Sequence, residues 1–242
     1  MVRGYFYMKL LAIDTSNHIL GVAIMEDDKV IGEFVTNLKK NHSVRLMPAI
    51  EKLLAEVEMD VKELEQISVA QGPGSYTGVR IGLTTAKTLA WALNIPIVGV
   101  SSLEVLAYQG SFFDGYICPF FDARRGSVYA GFYKWKNNQL HAVYDDQNLM
   151  IDDLLKKIQT ENEKVLFISP DIGSFEEHIK DQLGIQAIIP HGPFHIAKPS
   201  HLGLASLNHR AAATHEITPN YLRLAEAEAN WLKQQKENKQ NG

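Results

Sequence analysis

Four stretches of the sequence carry residue types that could do chemistry. Asp14-Thr15-Ser16-Asn17 follows an apolar run and offers a carboxylate and two hydroxyls, oxygen donors suited to a magnesium-bound phosphate. Residues 71–82, QGPGSYTGVRIG, form a glycine-rich turn between an apolar run and a helix-like run. The backbone amides of residues 74–78 could point at an anion, helped by the positive end of the helix. A third stretch, DARRG at 122–126, puts Asp122, Arg124 and Arg125 after another apolar run. The fourth is histidine-rich: five of the nine histidines, His191, His195, His201, His209 and His215, lie between 191 and 215.

Each stretch also has a purely structural reading. The glycine-rich turn is not a Walker A loop, because it lacks the Gly-Lys-Ser/Thr ending. Gly72 and Gly74 can simply shape the turn. Gly78 and Gly82 are four apart, hence on one helical face, where they let a helix pack closely. This reading is preferred over phosphate binding. In HGPFH, residues 191–195, the spacing of four suits two ligands on a helix, but Gly192 and Pro193 disfavour a regular helix there. No Cys or carboxylate cluster stands nearby, so surface and capping histidines are expected rather than a metal site. The single cysteine, Cys118, precedes Pro119 in an apolar run and reads as a small buried hydrophobe. Ser75 is not in a Gly-x-Ser-x-Gly elbow. Trp91, Trp135 and Trp231 are scattered, so no base-stacking platform is evident.

The elements that would position these residues follow from hydrophobic period and turn residues. MKLLAID, LGVAIM and VIGEFVT read as three strands joined by short turns. A helix follows over SVRLMPAIEKLLAEVE, with Ser43 as its expected N-cap, and Pro48 either bends its start or marks a later one. QISVA is a strand, residues 76–93 a helix, IPIVGV a strand and SLEVLAY a short helix. The second half repeats the order. YICPFFD, SVYAGFYKWK and QLHAVYD are strands, and IDDLLKKIQ is a helix. Then come strand VLFIS, helix SFEEHIKDQL, strand QAIIP and helix SHLGLASLNHRAAA. Each half therefore reads β-β-β-α-β-α-β-α, a meander feeding parallel crossovers. The expected fold class is α/β, a duplicated ribonuclease-H-like architecture of the actin, sugar kinase and Hsp70 type. The expected division is a possible leader at 1–7, lobes at 8–108 and 109–225, and a C-terminal helix with a polar tail at 226–242.

Composition narrows the function classes. The chain has 242 residues, 45% apolar and 21% charged, with net charge −4. That is ordinary for a globular protein and argues against a stand-alone nucleic-acid binder. One cysteine precludes an intramolecular disulfide, which fits a reducing compartment. The N-terminal stretch lacks a signal-peptide pattern and no run reaches membrane-spanning length. A cytoplasmic protein without a membrane association is expected.

Four segments carry a family resemblance: LAIDTSNHILGVAI, QGPGSYTGVRIGLTTAKTLAWALNIPIVGVSSLEVLA, DARRGSVYAGFY and PNYLRLAEAE. Together, from about Lys9 to Glu228, they resemble the bacterial TsaB (YeaZ) family. The resemblance implies a role in tRNA threonylcarbamoylation, on the adenosine beside the anticodon. It implies a non-catalytic subunit that partners a TsaD-like catalytic subunit and a TsaE-like ATPase, and that forms a homodimer when alone. tRNA would then be met indirectly, through the complex. ATP and metal are expected on the partner subunits, with no cofactor in this chain.

The residues bear on that implication. In TsaD-like relatives two metal-binding histidines, four apart, follow the strand after the glycine-loop helix. The matching positions here are Ser102 and Leu106, and only Glu104 keeps its type. Leucine cannot ligate, and a neutral serine hydroxyl is a poor ligand for a transition metal. Kinases of this fold use two phosphate turns and a Gly-Gly adenosine turn. Asp14–Asn17 matches the first. Arg124 stands where the second needs glycine, and PDIGS at 170–174 lacks paired glycines. The candidate nucleotide- or anion-binding residues are Asp14, Thr15, Ser16, Gly72, Gly74, Ser75 and Arg124; no catalytic or metal residue is expected. An Asp14–Asp122 pair across the cleft is conceivable but ranks low for chemistry. The alternative reading is an ATP-binding kinase or ATPase of the same fold. On the first long helix, Leu46, Ile50, Leu53 and Val57 form the core stripe. Val44, Met47 and Leu54 widen it, either as a partner surface or as deeper core. The resemblance favours the partner surface.

Overall fold

The computed structural model describes residues 7–222. The leader expected at 1–7 and the helix and tail at 226–242 fall, but for Tyr7, outside the described residues. Two five-stranded sheets carry the same topology. In the first lie β1 (Lys9–Asp14), β2 (Ile19–Glu26), β3 (Lys29–Asn37), β4 (Gln66–Ala70) and β5 (Ile97–Val100), in the order β3-β2-β1-β4-β5. The second holds β6 (Tyr116–Asp122), β7 (Ser127–Lys136), β8 (Gln139–Met150), β9 (Val165–Ile168) and β10 (Ala187–Ile188), in the order β10-β9-β6-β7-β8. Each meander is antiparallel, and each later strand joins the first strand's other side in parallel. This is the duplicated ribonuclease-H-like α/β fold, with the element order read from the sequence.

Among the described residues the α-helices are α1 (Leu46–Glu56), α2 (Tyr76–Leu93), α3 (Ser102–Ala107), α4 (Ile151–Gln159), α5 (Glu176–Leu183) and α6 (Pro199–Ser206). They build a layered core. The alternation along β1 explains why it is apolar throughout: Leu11 and Ile13 face the α1/α2 layer, while Leu10 and Ala12 face the space between the sheets. A third cluster lies between the second sheet and α4 and α5. Between the sheets the helices are exchanged. α3 follows the first sheet in the chain but packs on β6 and β7, whereas α6 follows the second sheet and packs on β1 and β2. The fit is close: a Cβ on Gly203 of α6 would fall 2.2 Å from Met25 Sδ.

Several boundaries differ from the sequence reading. α1 begins at Leu46, and Ser43 does not cap it; the Ser43 hydroxyl donates to Asn41 Oδ1 instead. The later start puts Pro48 in the first turn, where its missing N–H costs no helical hydrogen bond. β8 runs five residues beyond the expected Asp145, to Met150. α6 ends at Ser206 rather than continuing to 213, because the chain turns away and Ala212 bridges to Ile97 on the edge of β5.

Candidate functional site

The β1–β2 turn is built around Asp14, which is buried. Its Oδ1 accepts from the Ser16 amide at 2.8 Å and the Ser16 hydroxyl at 2.7 Å. Burial pushes the Asp14 carboxyl above the usual carboxylate range, against those two hydrogen bonds and a nearby His42. The second carboxylate oxygen, Oδ2, is buried without a partner among the described residues, as are Asn17 Nδ2, His42 Nδ1 and Arg45 Nη1 in the same neighbourhood.

The glycine-rich turn docks on this one. The Ser75 amide donates to the Ser16 carbonyl at 2.7 Å, and the Thr15 hydroxyl donates to the Gly78 carbonyl at 2.8 Å. A Cβ on Gly74 would sit 2.1 Å from the Ser16 carbonyl oxygen. One on Gly78 would sit 2.2 Å from that of Thr15, and one on Gly82 2.6 Å from the Thr15 hydroxyl. The glycines therefore admit the backbone of the β1–β2 turn against α2. The Ser75 hydroxyl caps α2 by accepting from Gly78 N at 3.3 Å. The Ser75 and Gly78 amides, of the kind that could cradle an anion, are committed here to the chain itself.

In the second lobe the corresponding turn strains its arginines. Arg124, Arg125 and Gly126 all take left-handed backbone, with φ of 67°, 57° and 74°. The Arg124 amide donates to Asp122 Oδ1 at 2.7 Å, and the Asp122 amide to Asp171 Oδ2 at 2.9 Å, which joins this turn to PDIGS. Asp122 is exposed while Asp14 is buried, so the two carboxylates occupy unlike environments. Ser102 accepts from the Gly72 amide at 3.1 Å and its own amide donates to the Gly72 carbonyl at 2.9 Å. Leu106 is wholly buried between the sheets. The two positions that would hold a metal are thus a brace for the glycine turn and a core residue.

The histidines do not converge. His195 accepts from Ser169 N–H through Nδ1 at 3.1 Å and donates through Nε2 to the Pro190 carbonyl at 2.9 Å, so it is a neutral, buried strut whose pKa burial lowers. Burial, reinforced by Lys198, pushes His201 down to about 4. His209 meets the Glu104 carboxylate at 2.9 Å, which raises its pKa. Among the described residues no group of three or more His, Cys, Asp or Glu could hold a metal ion. Cys118 is buried and burial raises its thiol pKa, so it is no activated nucleophile.

Comparison with known proteins decides the family. The family model of TsaD, tRNA N6-adenosine threonylcarbamoyltransferase, matches residues 29–231. The tRNA threonylcarbamoyladenosine biosynthesis protein TsaB of Bacillus subtilis is 52% identical over 95% of this chain and 100% of that protein. The chain belongs to the TsaB family. The TsaB of Buchnera aphidicola (subsp. Schizaphis graminum) is 34% identical over 62% of this chain and 74% of its own length. The crystal structure of YeaZ from Pseudomonas aeruginosa shares the fold, with a TM-score of 0.74 and 22% identity over 89% of this chain and 100% of that one.

On the outer face of this TsaB-family lobe, Val44 is 68% exposed and Met47 40% exposed, both at the start of α1. Leu54 is different: it is 8% exposed and belongs to the core cluster of the first sheet. Helical geometry alone places it on the shoulder of the stripe; in the fold it is buried. Trp91, near the end of α2, is also exposed. Among the described residues no helix is long and apolar enough to cross a membrane.

Proposed function

We propose that this chain is the non-catalytic subunit that binds and activates a TsaD-like enzyme in threonylcarbamoylation of the tRNA adenosine beside the anticodon. The pathway rests on the full-length relationship to TsaB, the biosynthesis protein of tRNA threonylcarbamoyladenosine. The observation that carries the accessory role is the use of potential catalytic positions for packing. Ser102 braces Gly72, Leu106 is core, the Ser75 amide donates to the Ser16 carbonyl and the Gly78 carbonyl accepts from the Thr15 hydroxyl. On this reading ATP and metal reside on partner subunits, a TsaE-like ATPase joins the complex, and the complex works in the cytoplasm. Val44 and Met47 are the apolar contact for the TsaD-like partner, and the same face pairs two copies when that partner is missing. The kinase-like alternative has Arg124 against it, standing in left-handed backbone where a phosphate turn would place glycine.

Reconstitution tests this. Wild-type and variant chains are combined with TsaC-, TsaD- and TsaE-like proteins and unmodified tRNA, and the modified nucleoside is measured by mass spectrometry. Val44→Asp with Met47→Asp places carboxylates in an apolar contact, at a cost on the order of 2–5 kcal/mol, and abolishes assembly and product. Alanine at Asp14, Ser75 or Asp122 leaves product formation within about tenfold, since losing a catalytic acid or base costs about 10²–10⁴. An Asp14→Ala chain that assembles normally but makes no product would overturn the accessory role.

A further inference from the structure

A stacking platform exists, but tyrosines build it. Tyr76, at the start of α2, and Tyr221, 145 residues later, stack with ring centroids 5.3 Å apart and planes 25° apart. Arg80, one turn along α2, lays its guanidinium 3.9 Å from the Tyr76 centroid and 5.7 Å from that of Tyr221. Its Nε donates to the Tyr221 hydroxyl at 2.6 Å. The terminal nitrogens of Arg80 take no partner among the described residues, although the side chain is exposed. Both rings remain open to solvent, Tyr76 by 47% and Tyr221 by 43%.

Tyr221 of this platform also lines a cleft. Residues 210–221 leave α6, touch the edge of β5 where Ala212 bridges Ile97, and return where the Asn220 amide donates to the Gln71 carbonyl at 2.7 Å. Between those two ties Ile217 packs into the core against β5, and beside the segment lies an open cleft of about 610 Å³, lined by Gln71, Gly99, Arg210, Glu216, Asn220 and Tyr221 among others. This volume lies within the roughly 300–1,000 Å³ of small-molecule sites. The lining is mainly polar, unlike a groove for apolar side chains. Arg210 is exposed and has no partner among the described residues. The loop is held from outside by Lys87, whose ammonium donates to the Ile217 carbonyl at 2.9 Å. Glu216 is turned partly to its own loop and accepts from the Ala213 amide at 3.2 Å.

Resting on the tRNA-modification reading above, we infer that this cleft takes an unpaired base of RNA. The base stacks against Tyr221, which Tyr76 backs, and the phosphates beside it meet Arg210 in the cleft and Arg80 next to the tyrosines. A half-exposed tyrosine ring backed by a second one, two exposed guanidinium groups and a polar cleft together match single-stranded nucleic acid. An acidic peptide would use the arginines but gain nothing specific from two parallel rings. The chain's net charge of −4 makes this a local contact within a larger complex rather than a main RNA-gripping surface.

The test uses a labelled unmodified tRNA transcript and a short labelled single-stranded RNA. Binding to the full chain, alone and mixed with a TsaD-like partner, is read by fluorescence anisotropy across a salt series. Tyr221→Ala is expected to weaken binding about 5- to 150-fold, the range for losing one stacked base, and Tyr76→Ala, which removes the ring behind it, to weaken it by more than about twofold. Tyr221→Phe keeps the ring and stays within about threefold. Arg80→Ala with Arg210→Ala lowers the steepness of log K against log salt by about 1.4, or 0.7 for each single-strand phosphate contact. Arg210→Glu, on an exposed position without a partner, gives an answer even if a tyrosine variant fails to fold. Wild-type affinity, within about twofold, in a folded Tyr76→Ala or Tyr221→Ala chain or in the Arg210→Glu chain overturns the inference. So does displacement of the RNA by polyglutamate at equal charge concentration. Partner binding and modified-nucleoside yield, followed in the same samples, separate the two readings. If they persist while RNA affinity ignores these substitutions, the cleft is wrong and the accessory role stands; if the wild-type chain never engages the partner, the accessory role itself fails.

Discussion

Gly78→Ala separates a packing turn from a phosphate turn. The added Cβ would lie 2.2 Å from the Thr15 carbonyl oxygen, about 1 Å inside ordinary contact, and both are backbone-defined positions that no rotamer change can separate. Relief requires the start of α2 to move off the β1–β2 turn. That motion breaks the Thr15 hydroxyl to Gly78 carbonyl bond and the Ser75 amide to Ser16 carbonyl bond, at about 1 kcal/mol each. Residual overpacking adds roughly 1–3 kcal/mol. Alanine's better helix propensity returns about 1 kcal/mol. The net loss is about 2–4 kcal/mol, which lowers Tm by roughly 4–16 °C for a chain of this length. Thermal and urea unfolding followed by circular dichroism measure it, with Gly173→Ala as control because a Cβ there meets nothing within 4 Å. A Gly78→Ala protein that melts within about 1 °C of wild type refutes the close approach. A protein of unchanged stability that loses binding to a nucleotide would instead restore the phosphate role.

Asp14→Asn retains the Oδ1 acceptor and removes a buried charge. Because burial raises the folded-state pKa, folding loses stability as pH rises from the unfolded carboxylate value through the folded one. The Asp14→Asn protein is therefore more stable than wild type at neutral pH, and the gap closes toward about pH 4; urea midpoints across pH check it. His209 behaves in the opposite sense. Its pKa is raised by Glu104, so its contribution is full below about pH 6.5 and vanishes as pH climbs through the folded value. His209→Gln accordingly lowers stability at pH 6 but not at pH 9, with the size limited by solvent exposure of the pair. Leu54→Ala costs about 2–5 kcal/mol of folding stability, whereas Val44→Asp leaves Tm near wild type and changes the molecular mass seen by light scattering.

Much of the fold was legible because its signals are local. α2 has a serine N-cap at Ser75 and a left-handed Asn94 at its end, and the sequence reading places its limits where they are. β1 is apolar on every residue from Leu10 to Ile13, which marks a strand buried on both faces. β8 was read too short because Asp145, Asp146, Gln147 and Asn148 are poor strand formers. Their partners come from afar: Tyr133 donates its hydroxyl to Asp146 at 2.6 Å, Ser101 donates to the same carboxylate, and Asn148 donates to the Ser127 hydroxyl at 2.8 Å. At the candidate site, the residue types of Asp14 and the glycines were visible, but what they face was not. The period of α1 could not say that Leu54 is buried. The Tyr76–Tyr221 pair left no trace in sequence spacing, because only the return of the chain after α6 brings the rings together.

The exchange of α3 and α6 has a consequence in time. During synthesis the first sheet is complete once Val100 has emerged, yet the helix that roofs its inner face begins only at Pro199, about 100 residues later. At 5–20 residues per second this interval is roughly 5–20 s. Throughout it the nascent chain presents Leu10, Ala12, Ala23 and Met25 with their native cover not yet made. The halves cannot finish folding one after the other as beads on a string, and the ribosome must release nearly the whole protein before either half closes. Chaperone demand for this chain should therefore follow the time taken to translate its second half.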